Sequence, residues 1–241
     1  MQQYYMENVA QLTNQTRGIV GSVLSPACRV WLRSQVSHVD DLRVDIQGGS
    51  RQILGGTIPQ VTVVAVGAVY QGLSLGSIDL IAQNIQINLP QVIKGQPLRL
   101  LEPISVIADV KFSERDLQAS LAAPLLSQAI KDLLCQILAS DPQQANWHID
   151  WQNLHIAPST LILQGNLTAD DRTVPIEISM GIDIHDGHLL ILDPLQINCS
   201  IDLPGSNINS YQIDLGTDVN ITQLQLVTGM LLCQGCIQVN P

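Results

Sequence analysis

The sequence predicts an α+β protein in which long antiparallel strands curl around a helix, and three observations carry that prediction. Aliphatic residues recur in strand rhythm from Gln52 to Ile87 and again from Leu161 to Ile197. β-Branched side chains at period two fit a pleated surface better than a helix. Glycines punctuate both runs, as turns and bends require. Only two stretches, after Ser25 and after Ser113, show helical spacing behind a capping residue. The interior these strands can build is almost purely aliphatic, because the chain holds one Phe, three Trp and four Tyr. Such an interior suits packing, or it suits housing an acyl chain.

The first helix begins with Ser25 as cap and Pro26 in the first helical position, and runs without a breaker from Ala27 to Val36. Val30 and Trp31, with Cys28, point one way, while Arg29 and Arg33 share another face. The second helical region starts at Ser113, where Asp116 three positions on completes a capping-box pattern. Leu117, Leu121 and Leu125 form a stripe at i, i+4, and Pro124 breaks or kinks the helix. Beyond it Leu126, Ile130, Leu133, Leu134 and Ile137 form a fresh apolar face, ended by Asp141-Pro142.

The rest reads as strand, over 42–46, 52–58, 61–70, 73–89, 104–112, 147–156, 160–168, 174–184, 188–198, 211–221 and 223–239. Gly48-Gly49, Asp170-Asp171 and Asp186-Gly187 are the expected hairpin turns. No long flexible or charged linker divides the chain. The reading is an N-terminal segment, 1–24, followed by a single domain, 25–241. Within that domain 25–112 and 113–239 form a loose pseudo-repeat, each half a helix followed by meandering strands.

Composition narrows the function. Hydrophobic residues make up 46% of the 241 and charged residues only 13%, against the usual ~25%, which argues against disorder and suits a protein that covers or receives apolar material. A net charge of −10 argues against nucleic acid, whose binding depends on neutralising phosphates. Arg17, Arg29, Arg33, Arg43 and Arg51 place five of the 11 basic residues near the start, the one stretch of local basic excess that suits an anionic surface. Residues 1–16 show no basic run leading into an apolar one, and no stretch reaches the ~20 apolar residues that span a bilayer. The expectation is a cytoplasmic protein, peripheral to a membrane. Five scattered cysteines read as reduced core thiols.

The motifs that suggest chemistry are weak. Gly72-Leu73-Ser74-Leu75-Gly76 matches the nucleophile-elbow spacing, but the strand rhythm continues through Ser77 to Ile81 where a helix is needed. Cys233 and Cys236 lie three apart on a strand, so their thiols face opposite sides and form neither a redox nor a zinc pair. His185 and His188 flank a turn and lack further ligands nearby in sequence. No catalytic, metal or cofactor site is expected beyond a bound lipid.

Several runs carry a family resemblance: SPACRVWLRSQV at 25–36, RQILGGTIPQV at 51–61, AVYQGLSL at 68–75, INLPQVIKGQPLRLLEPI at 87–104 and FSERDLQASLAAPLL at 112–126. With their order, they make the chain similar to the LmeA family of phospholipid-binding proteins, especially its cyanobacterial branch. The resemblance implies a fold like the tubular lipid-binding (TULIP) domains, with a curled sheet wrapping a helix beside an apolar groove. It also implies phospholipid binding or transfer without catalysis. An acyl chain gains about 0.8 kcal/mol per buried methylene, so roughly 15 of them hold a lipid without covalent chemistry. The expected groove residues are Val30, Trp31, Leu117, Leu121, Leu125, Ile130 and Leu134. Arg29, Arg33, Lys94 and Arg99 are expected at a headgroup or membrane surface. The rival readings are an interaction protein whose apolar surface a partner covers, and an enzyme of unrecognised type.

Overall fold

The computed structural model describes residues 28–30, 32–92, 96, 99–138, 147–169, 172–200 and 208–241. Residues 28–30 and 32–35 are helical. They lead into β1 (Asp41–Gln47), a one-turn helix α1 (Ser50–Leu54), and two long strands, β2 (Thr57–Tyr70) and β3 (Leu73–Gln86). A short helix α2 (Leu89–Val92) precedes β4 (Ile104–Ser113), which runs straight into α3 (Glu114–Ser120) and then α4 (Pro124–Ile137). Strands β5 (Trp147–Ala157), β6 (Thr160–Ala169), β7 (Arg172–His185), β8 (Leu189–Cys199) and β9 (Tyr211–Asp214) follow. The hairpin β10 (Val219–Val227) and β11 (Met230–Val239) closes the chain.

Among the described residues every strand pairing is antiparallel, as the alternating pattern predicts. The strands form two open sheets rather than one curled sheet around a helix. Six strands make the first, in the order β1-β2-β3-β4-β11-β10, and five make the second, β5-β6-β7-β8-β9. The C-terminal hairpin thus returns to the sheet that the N-terminal strands began. Met230–Val239 pairs with Ile104–Ser113, across the boundary between the expected halves, and Val219–Val227 pairs with Met230–Ile237.

Local signals explain most element ends. Ser113 Oγ accepts from the Asp116 amide at 3.2 Å while Asp116 Oδ2 accepts from the Ser113 amide at 2.9 Å, so the capping box forms with Asp in place of Glu. Pro124 does not kink one long helix; it starts a second. The residue before proline is pushed towards extended backbone, and Ala123 sits at φ −67°, ψ 135°. That break resets the helical register, so Leu125 leaves the face shared by Leu117 and Leu121 and is exposed. Asp186 and Gly187 both adopt positive φ, 50° and 75°, as the hairpin signal required. The 170–171 turn and the Asp141-Pro142 helix end lie outside the described residues.

Three other expectations are corrected. The stretch 52–58 is not one strand, and Gly48-Gly49 is not a hairpin tip. The Gln52 side chain reaches back to accept from the Gly49 amide at 3.2 Å and closes a helical turn that buries Ile53 completely. The expected break at Thr222 is a β-bulge inside β10, and the true interruptions lie at 215–218 and at Thr228-Gly229.

Three aliphatic clusters hold the sheets. The largest packs α3 and α4, through Leu117, Leu121, Leu134 and Ile137, onto Leu154, Ile156, Leu163, Ile178 and Leu195 of the second sheet. Leu226 of β10 joins it, with Phe112 and Leu231 packed alongside, so the first sheet shares this core. A second cluster covers the β1–β3 end around Val44, Ile53, Ile58 and Ile85, with Cys28, Leu32 and Leu100 against it. A small third one gathers Val39, Ala65 and Ala68.

Candidate functional site

Directly paired residues of antiparallel strands share a face, so the register alone defines the two surfaces of the first sheet. Val44 pairs with Val63, Val63 with Leu80, Leu80 with Ala108, Ala108 with Gly235 and Gly235 with Ile221. One row further along, Leu42, Ala65, Ile78, Val110, Cys233 and Leu224 align in the same way. Across six strands this face carries no charged or amide side chain in those rows. The opposite face is mostly polar: Asp45, Thr62, Asp79, Asp109 and Gln234 lie on it, and Gln234 Nε2 donates to Asp109 Oδ2 at 2.7 Å.

The apolar face is sealed at both ends and open between them. The β1–β3 end lies under Cys28, Leu32 and α1, and Phe112, Leu226 and Leu231 join the core shared with the second sheet. Between these ends Ala108, Val110, Cys233 and Leu224 belong to none of the three clusters and are half-buried, while Ile237 is 41% exposed. Burial pushes the Cys233 thiol above its ordinary range, with the Asp109 carboxylate adding to the shift. Burial likewise raises the Cys28 thiol at the covered end. Such a strip offers dispersion contacts to an apolar ligand.

The residues singled out from the sequence fall in three places. Leu117, Leu121 and Leu134 are buried, Leu121 at 4% exposure, in the core between α3, α4 and the second sheet. Ile130 is half-buried against that core. Val30 and Leu125 point outward. Inward contact from the first helix comes instead from Cys28 and Leu32, one helical turn apart. Arg29, Arg33 and Arg99 are exposed, and Trp31 and Lys94 lie outside the described residues. The open strip on β4, β10 and β11 was missed. Its signal is the alternation of Ile104, Val106, Ala108, Val110 and Phe112 and of Leu231, Cys233, Gly235, Ile237 and Val239, a period common to every half-buried strand of the chain.

The suspected motifs find structural roles. Ser74 lies in β3, its amide donating to Ser120 Oγ at 2.8 Å. Cys233 pairs with Val110 on the apolar face and Cys236 with Ile107 on the other. His188 Nδ1 sits 2.9 Å from the Asp186 carbonyl at the hairpin tip. Among the described residues no three His, Cys, Asp or Glu side chains gather as metal ligands, and no helix is long and apolar enough to cross a membrane. A depression of about 670 Å³ lies on the polar face of the second sheet, over Gly165. Its walls of Asn153, Gln164, Asn166, Glu177 and Asn198 do not suit an acyl chain.

Two open antiparallel sheets that share an aliphatic core, with a strip of apolar sheet face left half-covered, define a sheet-rich protein built around apolar surface. The family comparison agrees. The model of the LmeA family, described as LmeA-like phospholipid-binding, matches residues 16–236. The chain belongs to this phospholipid-binding family. No curated protein and no solved structure matches it.

Proposed function

We propose that this protein binds a phospholipid without chemical change, laying an acyl chain along the open strip of the first sheet, and that it exchanges this lipid with a membrane at whose surface it works. The observation that supports the reading is the half-buried patch of Ala108, Val110, Cys233 and Leu224, from two adjacent rows, between two sealed ends. An acyl chain laid there removes apolar surface of both partners from water, at about 25 cal/mol per Å². A strip on a rigid sheet is already formed before the lipid arrives, so little ordering entropy opposes binding.

The test is organic extraction of the purified protein followed by mass spectrometry. Near-stoichiometric phospholipid is the expected result. Ala108→Trp, which fills the strip from its middle, should lower the recovered lipid while circular dichroism stays that of the parent. Empty parent protein that co-purifies with another chain would instead mean that a protein partner covers the strip.

A further inference from the structure

Three segments close over the β1–β3 cluster, and each turns one aliphatic residue in and a near neighbour out. Leu32 packs on the cluster while Val30 is 72% exposed. Ile53 is fully buried while Leu54 is 56% exposed. Leu100 packs inward while Leu101 is 58% exposed. Backbone bonds hold two of these segments at one end of the sheet: the Ile87 amide donates to the Gly56 carbonyl at 2.8 Å, and the Leu101 amide to the Gln86 carbonyl at 2.9 Å.

Single exposed leucines are ordinary; their company here is not. Arg29, Arg33, Arg51 and Arg99 are exposed on the same three segments, and among the described residues none of them forms an ion pair. Arg43 on the neighbouring strand, by contrast, is paired with Asp41 at 2.9 Å. Glu102 is an acidic side chain beside Leu101. A chain of net charge −10 is repelled by anionic surfaces everywhere except where such unpaired cations gather.

We propose that this end of the first sheet docks on an anionic phospholipid bilayer, Leu54, Leu101 and Val30 entering the headgroup layer while Arg29, Arg33, Arg51 and Arg99 meet lipid phosphates. The inference rests on the phospholipid reading above and adds where the membrane sits. Val61, Val63 and Leu80 of the covered cluster lie on the apolar face itself, so the docked end adjoins the strip that takes the acyl chain.

Vesicle flotation tests it, using phosphatidylcholine alone and phosphatidylcholine mixed with phosphatidylglycerol, at low and high salt, with extracted cargo measured in parallel. The parent should float with the anionic vesicles at low salt. Arg51→Gln with Arg99→Gln should cut that partition roughly thirtyfold, two cations at about 1 kcal/mol each. Leu54→Ser with Leu101→Ser should weaken binding at both salt concentrations. Cargo should remain at the parent's level in both variants. Flotation of either double variant at the parent's level overturns the proposal, as does loss of cargo with Arg51 and Arg99, which would make them headgroup ligands. A parent that dimerises through Leu54 and Leu101, shown by a monomeric serine variant, overturns it too. A parent that carries lipid but never floats refutes docking alone, whereas one that floats without cargo refutes the lipid-binding reading.

Discussion

Cys233 and Cys236 show how much one residue's place on a strand decides. Three positions apart on β11, they face opposite sides of the sheet, Cys233 on the aliphatic face and Cys236 on the other. Cys233 carries a raised pKa from burial, reinforced by Asp109. A raised thiol pKa means less thiolate at neutral pH, so its alkylation should be slow at pH 7 and keep rising beyond the pH at which an ordinary thiol levels off. If the strip holds an acyl chain, delipidation should speed labelling of Cys233 and leave Cys236 unchanged. Peptide-level mass spectrometry after maleimide treatment reads both sites at once, and equal acceleration of the two would place the lipid elsewhere. The opposed orientation was legible from sequence, because period two is local geometry. Which of the two thiols faces the aliphatic side depended on partners in β4.

Element α3 is a strap between the sheets. Strand β5 is an edge of the second sheet, and an edge strand leaves amides and carbonyls without ladder partners. Gln118 supplies both: its Oε1 accepts from the Leu154 amide at 2.5 Å and its Nε2 donates to the Gln152 carbonyl at 2.7 Å. Glu114 Oε2 accepts from the Ile156 amide at 2.8 Å and lies 2.9 Å from His155 Nδ1. On the other side the Ser120 hydroxyl reaches the Ser74 amide of β3. Gln118→Ala should therefore cost about 1–2 kcal/mol, mostly because the partly buried Leu154 amide loses its partner while the Gln152 carbonyl can turn to water. Hydrogen exchange should quicken at Leu154 while Leu163, inside the sheet, keeps its protection. Unchanged exchange at Leu154 would mean that water replaces the strap without loss. The start of α3 was readable in Ser113 and Asp116, whose box closes within four residues. Its bridging role was not, because the bonds run to strands about 40 positions away in sequence.

At the scale of the molecule, the C-terminal hairpin ties the parts together. β11 pairs with β4 along ten residue pairs, and Leu226 of β10 sits in the core of the second sheet. The Ser159 amide also donates to the Leu226 carbonyl at 3.2 Å, and the Gly229 amide to the Ile156 carbonyl at 2.9 Å. Melting one sheet should then expose the core of the other. Calorimetry is expected to show a single transition whose van't Hoff and calorimetric enthalpies agree. Two resolved transitions would mark the sheets as separate folding units.

The sequence by itself determined the antiparallel, strand-dominated character, most strand positions, the capping box at Ser113, the Asp186-Gly187 turn and the membership in a phospholipid-binding family. These follow from period, cap chemistry and positive-φ turns, all of which act within a few residues. Only the tertiary structure decided that there are two sheets, that Leu117 and Leu121 pack as core, and that the open apolar strip belongs to β4, β10 and β11. Strand order depends on which faces meet after long loops close. That choice is made by burial summed over the whole chain, and no local window of sequence contains it.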